Sequence, residues 1–249
     1  MTSPDNVIVE KKGCIAIIKI NNPPQNYLKS PVFIGKEEIL AITAAEDVKG
    51  LIITGMGRHF SAGADLDNLF QLTKDPDILK QEMTAGSALL EQISELKIPV
   101  IAAINGVCWG GGLEIALSCH IRFASAKSLF AFPEINSGLM PGLGGIVRLV
   151  NNSGTFSAIS TILSGEIFNA EKALKFNMVH QLTEVNVVEY SWKYLNDLVE
   201  SKPKKVIASI MQAIQNAYKL PLHEALKEET RMFCELAEEE AARRKSVSL

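Results

Sequence analysis

PVIAAINGVCWGGGLEIALS, residues 99–118, is the stretch on which the reading of this chain turns. Val100 to Ile104 form a short unbroken apolar run, as expected of a strand buried on both faces. Asn105-Gly106 cuts the run. After Trp109, three glycines (110–112) open a second apolar segment, Leu113, Ile115, Ala116 and Leu117, that reads as a buried helix. A strand, a glycine turn and a helix start bring unpaired main-chain N–H groups and the positive end of a helix dipole to one place. Glycine lets a ligand approach that backbone where a side chain would block it. Glu114 follows Gly111 by three residues, so its carboxylate falls on the side of the helix where the Gly111 amide points. A donor for a developing anion with a carboxylate beside it is proton-transfer machinery. Glycine-rich strand-to-helix turns also serve simply for tight packing, and the stretch alone fits both.

The rest of the composition narrows the class. The 249 residues suit one large domain, or one with a small appendage. With 47% hydrophobic and 21% charged residues, the chain has ample core for a soluble globular protein. A net charge of −3 without a large basic block argues against a nucleic-acid surface. No apolar run approaches the ~20 residues of a membrane span. The N-terminus, Met1 to Asn6, lacks a basic-then-apolar signal and an Arg-rich transit pattern, and a cytoplasmic location is expected. Cys14, Cys108, Cys119 and Cys234 have neither CxxC spacing nor a histidine cluster, which reads as reduced thiols and no metal site.

Taken in order, 7–9 and 14–20 read as strands of a hairpin turning at Lys11-Lys12-Gly13, and 32–45 as a weak helix. A buried strand is expected at 50–54. GMGRHF (55–60) begins like a dinucleotide fingerprint, but Phe60 stands where its last glycine belongs, which rejects that reading. Residues 67–97 are polar and helix-prone, with Leu89, Leu90, Ile93 and Leu96 on one face. Strands are expected at 121–124 and 129–132, ended by Pro133-Glu134 and followed by a glycine-rich loop, 138–145. Helices at 145–151, 155–164 and 170–176 and a strand at 178–182 complete the alternating part. From Val187 the pattern is helical, roughly 187–201, 203–218 and 221–244, punctuated by Pro203 and Pro221. Alternation followed by an all-helical tail implies an α/β core, 1–186, and a helical C-terminal lobe, 187–249.

Four segments carry a family resemblance: GMGRHFSAGADL (55–66), IPVIAAINGVCWGGGLEIALSCHIRFAS (98–125), FAFPEINSGLMPGLGG (130–145) and LSGEIFNAEKALKFNMVHQL (163–182). In that order and spacing, from about Val7 to Glu240, the chain resembles the enoyl-CoA hydratase/isomerase (crotonase) family. The resemblance implies a ββα spiral, a helical lobe that packs a homotrimer or a dimer of trimers, and an acyl-CoA thioester as ligand, with no cofactor beyond the coenzyme A of the substrate. Its two oxyanion-binding amides match Ala64 and Gly111, and its two catalytic glutamates match Glu114 and Glu134. Two carboxylates near one site resist joint ionisation, so they are expected to share a proton. Both glutamates together favour hydration. A one-glutamate shuttle would make an isomerase, and a thioester hydrolase or decarboxylase can use the same scaffold.

Substrate contacts are expected at Gln25, Tyr27, Lys29, Ala62, Asp65, Leu66, Trp109, Gly110, Pro133 and Gly142. Lys29 is a candidate for a phosphate of the nucleotide. Asp65 is better read as the cap of the helix that follows it. Trp109 either lines the acyl pocket or packs in the core. His59 and His120 are tempting bases, but His59 precedes the loop at a position expected to be exposed, and His120, standing where the family usually has Asp, is expected to alter a packing contact or the nearby loop and not to be catalytic. The N-terminal NNPPQNYLKS and the tail EEEAARRKSVSL match the family loosely. A non-enzymatic thioester or RNA binder is the remaining alternative, opposed by the charge and by the presence of both glutamates.

Overall fold

The computed structural model describes residues 6–247; the signal-free reading of Met1 to Asp5 lies outside them. Along the chain run β1 (Val7–Lys12), β2 (Ile15–Ile20), α1 (Lys36–Ala44), β3 (Gly50–Gly55), α2 (Leu66–Leu72) and α3 (Pro76–Ser94). Next come β4 (Val100–Ile104), β5 (Val107–Trp109), α4 (Gly111–Ser118), β6 (Ile121–Ser125), β7 (Leu129–Ala131) and a 3-10 turn (Pro133–Ser137). The chain continues with α5 (Gly145–Ile162), β8 (Phe168–Asn169), α6 (Ala170–Lys175), β9 (Gln181–Thr183), α7 (Val187–Val199), α8 (Lys204–Lys219) and α9 (Leu222–Val247).

Two sheets organise this α/β fold. The larger runs β1-β2-β3-β4-β6-β9, antiparallel only at the first pair; the smaller runs β5-β7-β8. The unbroken apolar strands follow from burial on both faces. Ile15, Ile17, Ile52, Ile101 and Phe123 face one core, which α7 closes with Val187, Leu195 and Val199. Alternate residues Ala16, Ile18, Leu51, Ile53, Val100, Ala102 and Ile104 face the other, with α3 and α4. Each fully buried Ile or Leu contributes about 1.5–3 kcal/mol.

The corner between the sheets is set by Asn105-Gly106. Gly106 has φ +56°, and a Cβ there would strike the Arg58 carbonyl and the His59 ring. The chain leaves β4, turns and starts β5 at once, with Val107 N–H donating to His59 Nδ1 (3.1 Å) and Leu129 N–H to Gly106 O (2.9 Å). Val107–Trp109, for which the sequence suggested no element, is a strand: three residues carry too little pattern to announce it, and its pairing with β7 is non-local.

Other boundaries shift for local reasons. The weak helix at 32–45 begins only at Lys36. The 67–97 segment is two helices, split where Asp75 accepts from the Asp77 and Ile78 amides and Pro76 occupies the first turn. Pro133-Glu134 opens a 3-10 turn instead of only ending a strand. Gly154 (φ +78°, ψ 165°) breaks α5 where two helices were expected. The strand expected at 178–182 is confined to Gln181–Thr183, because the Met178 and Val179 amides bond back to Ala173 O. α7 packs against β2, β3, β4 and β6, so the first helix of the C-terminal segment belongs to the sheet's own core. Lys204 at the start of α8 donates to the carbonyls of Thr43 (2.9 Å) and Ala44 (3.1 Å), capping α1. Among the described residues no helix is long and apolar enough to cross a membrane. All four cysteines are unpaired.

Candidate active site

The site forms where the loop after β3, the β5–α4 turn and the 3-10 turn meet. Asn26, buried at φ +52°, anchors the first. Its Nδ2 donates to Met56 O (2.9 Å) and His59 O (2.7 Å), and its carbonyl accepts from Ser61 Oγ (2.7 Å). Residues 25–28 then run beside 62–65: Ala62 N–H donates to Gln25 O (2.9 Å), Leu28 N–H to Gly63 O (2.8 Å) and Asp65 N–H to Leu28 O (3.0 Å). This pairing uses Gly63 O and Asp65 N–H, so the Ala64 N–H between them faces the opposite side.

That side is the start of α4. Gly110 takes φ +49°, a conformation costly for a residue with a Cβ, and its N–H donates to Ala131 O (3.0 Å). Gly111 is the first helical residue, and its amide has no partner within the helix. A methyl on Gly63 would lie 3.4 Å from Gly111 N, and one on Gly111 would lie 3.9 Å from Ala64 N. The two amides are neighbours, and neither has a protein acceptor among the described residues.

Both glutamates border this turn. Glu114 is 2% exposed, and its Oε1 accepts from Leu143 N–H (2.7 Å) and Gly145 N–H (2.8 Å). Burial raises its proton affinity, while those two amides and the Arg148 charge pull it down. Glu134, in the 3-10 turn, sits against the other face: a methyl on Gly110 would lie 2.8 Å from its Oε1. Its Oε2 is buried with no partner. Burial first and the Glu114 charge after it, opposed by the bond to its own main chain, raise its pKa to about 7. One carboxylate thus has fixed donors, the other an unpaired buried oxygen.

The remaining expected residues divide. Gly110, Trp109 and Pro133 flank the turn. The Trp109 indole N–H is buried and unpaired, and Pro133 Cδ lies 3.9 Å from where a methyl on Gly110 would stand. Asp65 caps α2, accepting from the Asp67 (3.1 Å) and Asn68 (3.3 Å) amides. Leu66 begins that helix, exposed. Gln25 borders the site through its carbonyl, and Tyr27 and Lys29 are exposed along the same edge. Gly142 is exposed and abuts Met83 of α3. The two histidines are structural: His59 Nδ1 receives Val107 N–H, and His120 Nδ1 receives Val100 N–H (3.0 Å) with Nε2 3.2 Å from Ser94 O. Unforeseen from sequence were Asn26, Ser61, Arg148 and the amides of Leu143 and Gly145. Only the glycines around Leu143 hinted at the last.

An α/β spiral that sets two unpaired amides beside two unequal carboxylates defines a class, an acid–base enzyme. Residues 10–248 match the enoyl-CoA hydratase/isomerase family, and the chain belongs to it. It is 34% identical to a probable enoyl-CoA hydratase of Bacillus subtilis (92% of this chain, 89% of the relative). With a short-chain-enoyl-CoA hydratase of Clostridium acetobutylicum it shares 31% identity over 93% and 89% of the two chains. The crystal structure of an enoyl-CoA hydratase from Thermoplasma volcanium superposes with a TM-score of 0.82 at 30% identity, covering 93% of this chain and 92% of that one.

Proposed function

We propose that this protein adds water reversibly across the double bond of a 2-enoyl-CoA thioester. The thioester oxygen sits between the Ala64 and Gly111 N–H groups at the positive end of α4. Glu114, as carboxylate, takes a proton from the water that attacks the β-carbon. Charge then moves onto the thioester oxygen, where one preorganised donor is commonly worth about 3 kcal/mol in the transition state. Glu134, as the acid, delivers its proton to the α-carbon and collapses the enolate. The reverse reaction interchanges the roles. This chemistry calls on side chains and main chain alone; coenzyme A enters as part of the substrate, with Gln25, Tyr27 and Lys29 along its edge of the site.

The observation that carries the reading is the unequal pair: Glu114 held by two amides, Glu134 with a buried unpaired oxygen, on either side of the Gly110–Gly111 turn. The test is loss of the conjugated-thioester absorbance of a short 2-enoyl-CoA together with product mass. A gain of one water supports hydration, whereas unchanged mass with a moved double bond assigns isomerisation instead. We further propose a homotrimer or dimer of trimers acting in a reducing, cytoplasmic compartment. Support for assembly comes from large apolar side chains left open on α5 and α9, including Phe156 (75% exposed) and Phe233 (70%). Sedimentation equilibrium at one-chain mass would refute it.

A further inference from the structure

The hydratase reading leaves one charged group near the site without a role: Arg148, on the first turn of α5. Its Nη1 donates to Leu143 O (2.7 Å). The same guanidinium lies against Gly144, which takes φ +90° and whose Cβ position it would occupy. On either side of Gly144 stand the Leu143 and Gly145 amides, both of which donate to Glu114 Oε1. Arg148 N–H also donates to Gly144 O (3.0 Å), so side chain and main chain of one residue hold one short loop.

We infer that Arg148 is a positioning residue for the reaction: its guanidinium on Leu143 O and its amide on Gly144 O clamp the Gly142–Gly145 loop, so that two main-chain amides stay aimed at the carboxylate that accepts water's proton. This rests on the hydration reading for its catalytic meaning but not for its geometry. The titratable groups around this pair come from four elements. α5 offers Arg148, the 3-10 turn Glu134, and α3 Glu91, whose charge also acts on Arg148; Cys119 at the end of α4 is a neutral thiol, raised to about 12 by burial. Arg148 is the cation whose charge acts on Glu114, while Arg122 of β6, which donates to Cys119 O, acts on the Cys119 thiol. Without Arg148, burial acts on Glu114 with only the two amides in opposition.

The test is a titration followed by 13C NMR of protein labelled at the glutamate side-chain carboxyl, the Glu114 resonance being the one lost in Glu114→Gln. In Arg148→Gln the Glu114 midpoint rises by about one pH unit, the low end for losing a neighbouring opposite charge. In Arg148→Lys, which keeps the charge, it stays within about 0.3 unit. The acidic limb of kcat/KM for a short 2-enoyl-CoA moves with the midpoint, so activity at pH values on that limb drops about tenfold in Arg148→Gln. An unchanged midpoint in Arg148→Gln overturns the inference, as does a lysine variant that shifts as far as glutamine. If Arg148→Gln does not fold, Arg148→Lys decides alone: a wild-type midpoint supports the inference and a raised one refutes it. The titration needs no turnover. A protein that titrates as expected but hydrates nothing fails the hydration reading alone; one that hydrates through Glu114 with a titration indifferent to residue 148 fails this inference alone.

Discussion

Glu114 and Glu134 lie on opposite sides of one glycine turn, and the molecule treats them differently. Glu114 projects from a helix whose eight residues are all buried, and its Oε1 meets two main-chain donors brought from a loop near residue 144. Glu134 projects from a short 3-10 turn at the edge of the smaller sheet, with one oxygen buried and unpaired. Burial pushes both toward the neutral acid; fixed donors and a cation resist it at the first, and the first's own charge adds to it at the second. The lesson is that one structure can give two carboxylates beside the same turn different proton affinities by dividing donors unequally between them.

The largest effect that can break this comparison is removal of either acid. Glu114→Gln and Glu134→Gln are each expected to lower kcat for hydration about 1,000-fold with the fold retained. A loss below about tenfold in either one would strip that side chain of its role. Next come two glycines that admit each carboxylate to the turn. A methyl at Gly145 would stand 2.8 Å from Glu114 Cγ, and one at Gly110 2.8 Å from Glu134 Oε1 at a positive φ. Gly145→Ala and Gly110→Ala should each cost about 100-fold in kcat/KM, because a misplacement of about 1 Å is enough for that. Steady-state kinetics checks both.

A pH series sharpens the contrast further. Glu134 with a pKa of about 7, against an ordinary 4.5, keeps a proton in the folded state that the unfolded chain has released. Its contribution to stability is therefore present below pH 4.5 and is lost as pH rises through about 7. Glu134→Gln should remove that decline and be more stable than the parent at pH 8 by about 1 kcal/mol, allowing for partial solvent screening. Urea melts at pH 4, 6 and 8 measure this. The same group sets an alkaline limb of kcat/KM near 7 that Glu134→Gln lacks. The smallest effect lies away from both acids: Gly154→Ala, at φ +78° with open space around the new methyl, should cost about 1 kcal/mol and leave kcat unchanged. It calibrates what backbone strain alone does in α5.

How much of this was legible beforehand can be argued residue by residue. Val100–Ile104 and Gly50–Gly55 announced themselves because strands buried on both faces must be apolar throughout. Asp65 announced itself as a cap because a short acid before a helix has one local use. Val107–Trp109 did not, since its strand character exists only through pairing with Leu129–Ala131. Asn26 was hidden for the same reason: its partners Met56 and His59 lie some thirty positions away.

By itself the sequence determined the alternation of strands and helices and the glycines that open α4, local properties written in residue types a few positions apart; Glu114 and Glu134 were singled out only through the resemblance of the motifs around them. Only the tertiary structure decided how the two acids differ. The donors to Glu114 come from Leu143 and Gly145, and the cation behind them from Arg148, some thirty residues on. A carboxylate's proton affinity is fixed by burial and by the dipoles and charges around it, and those surroundings exist only once distant segments have packed.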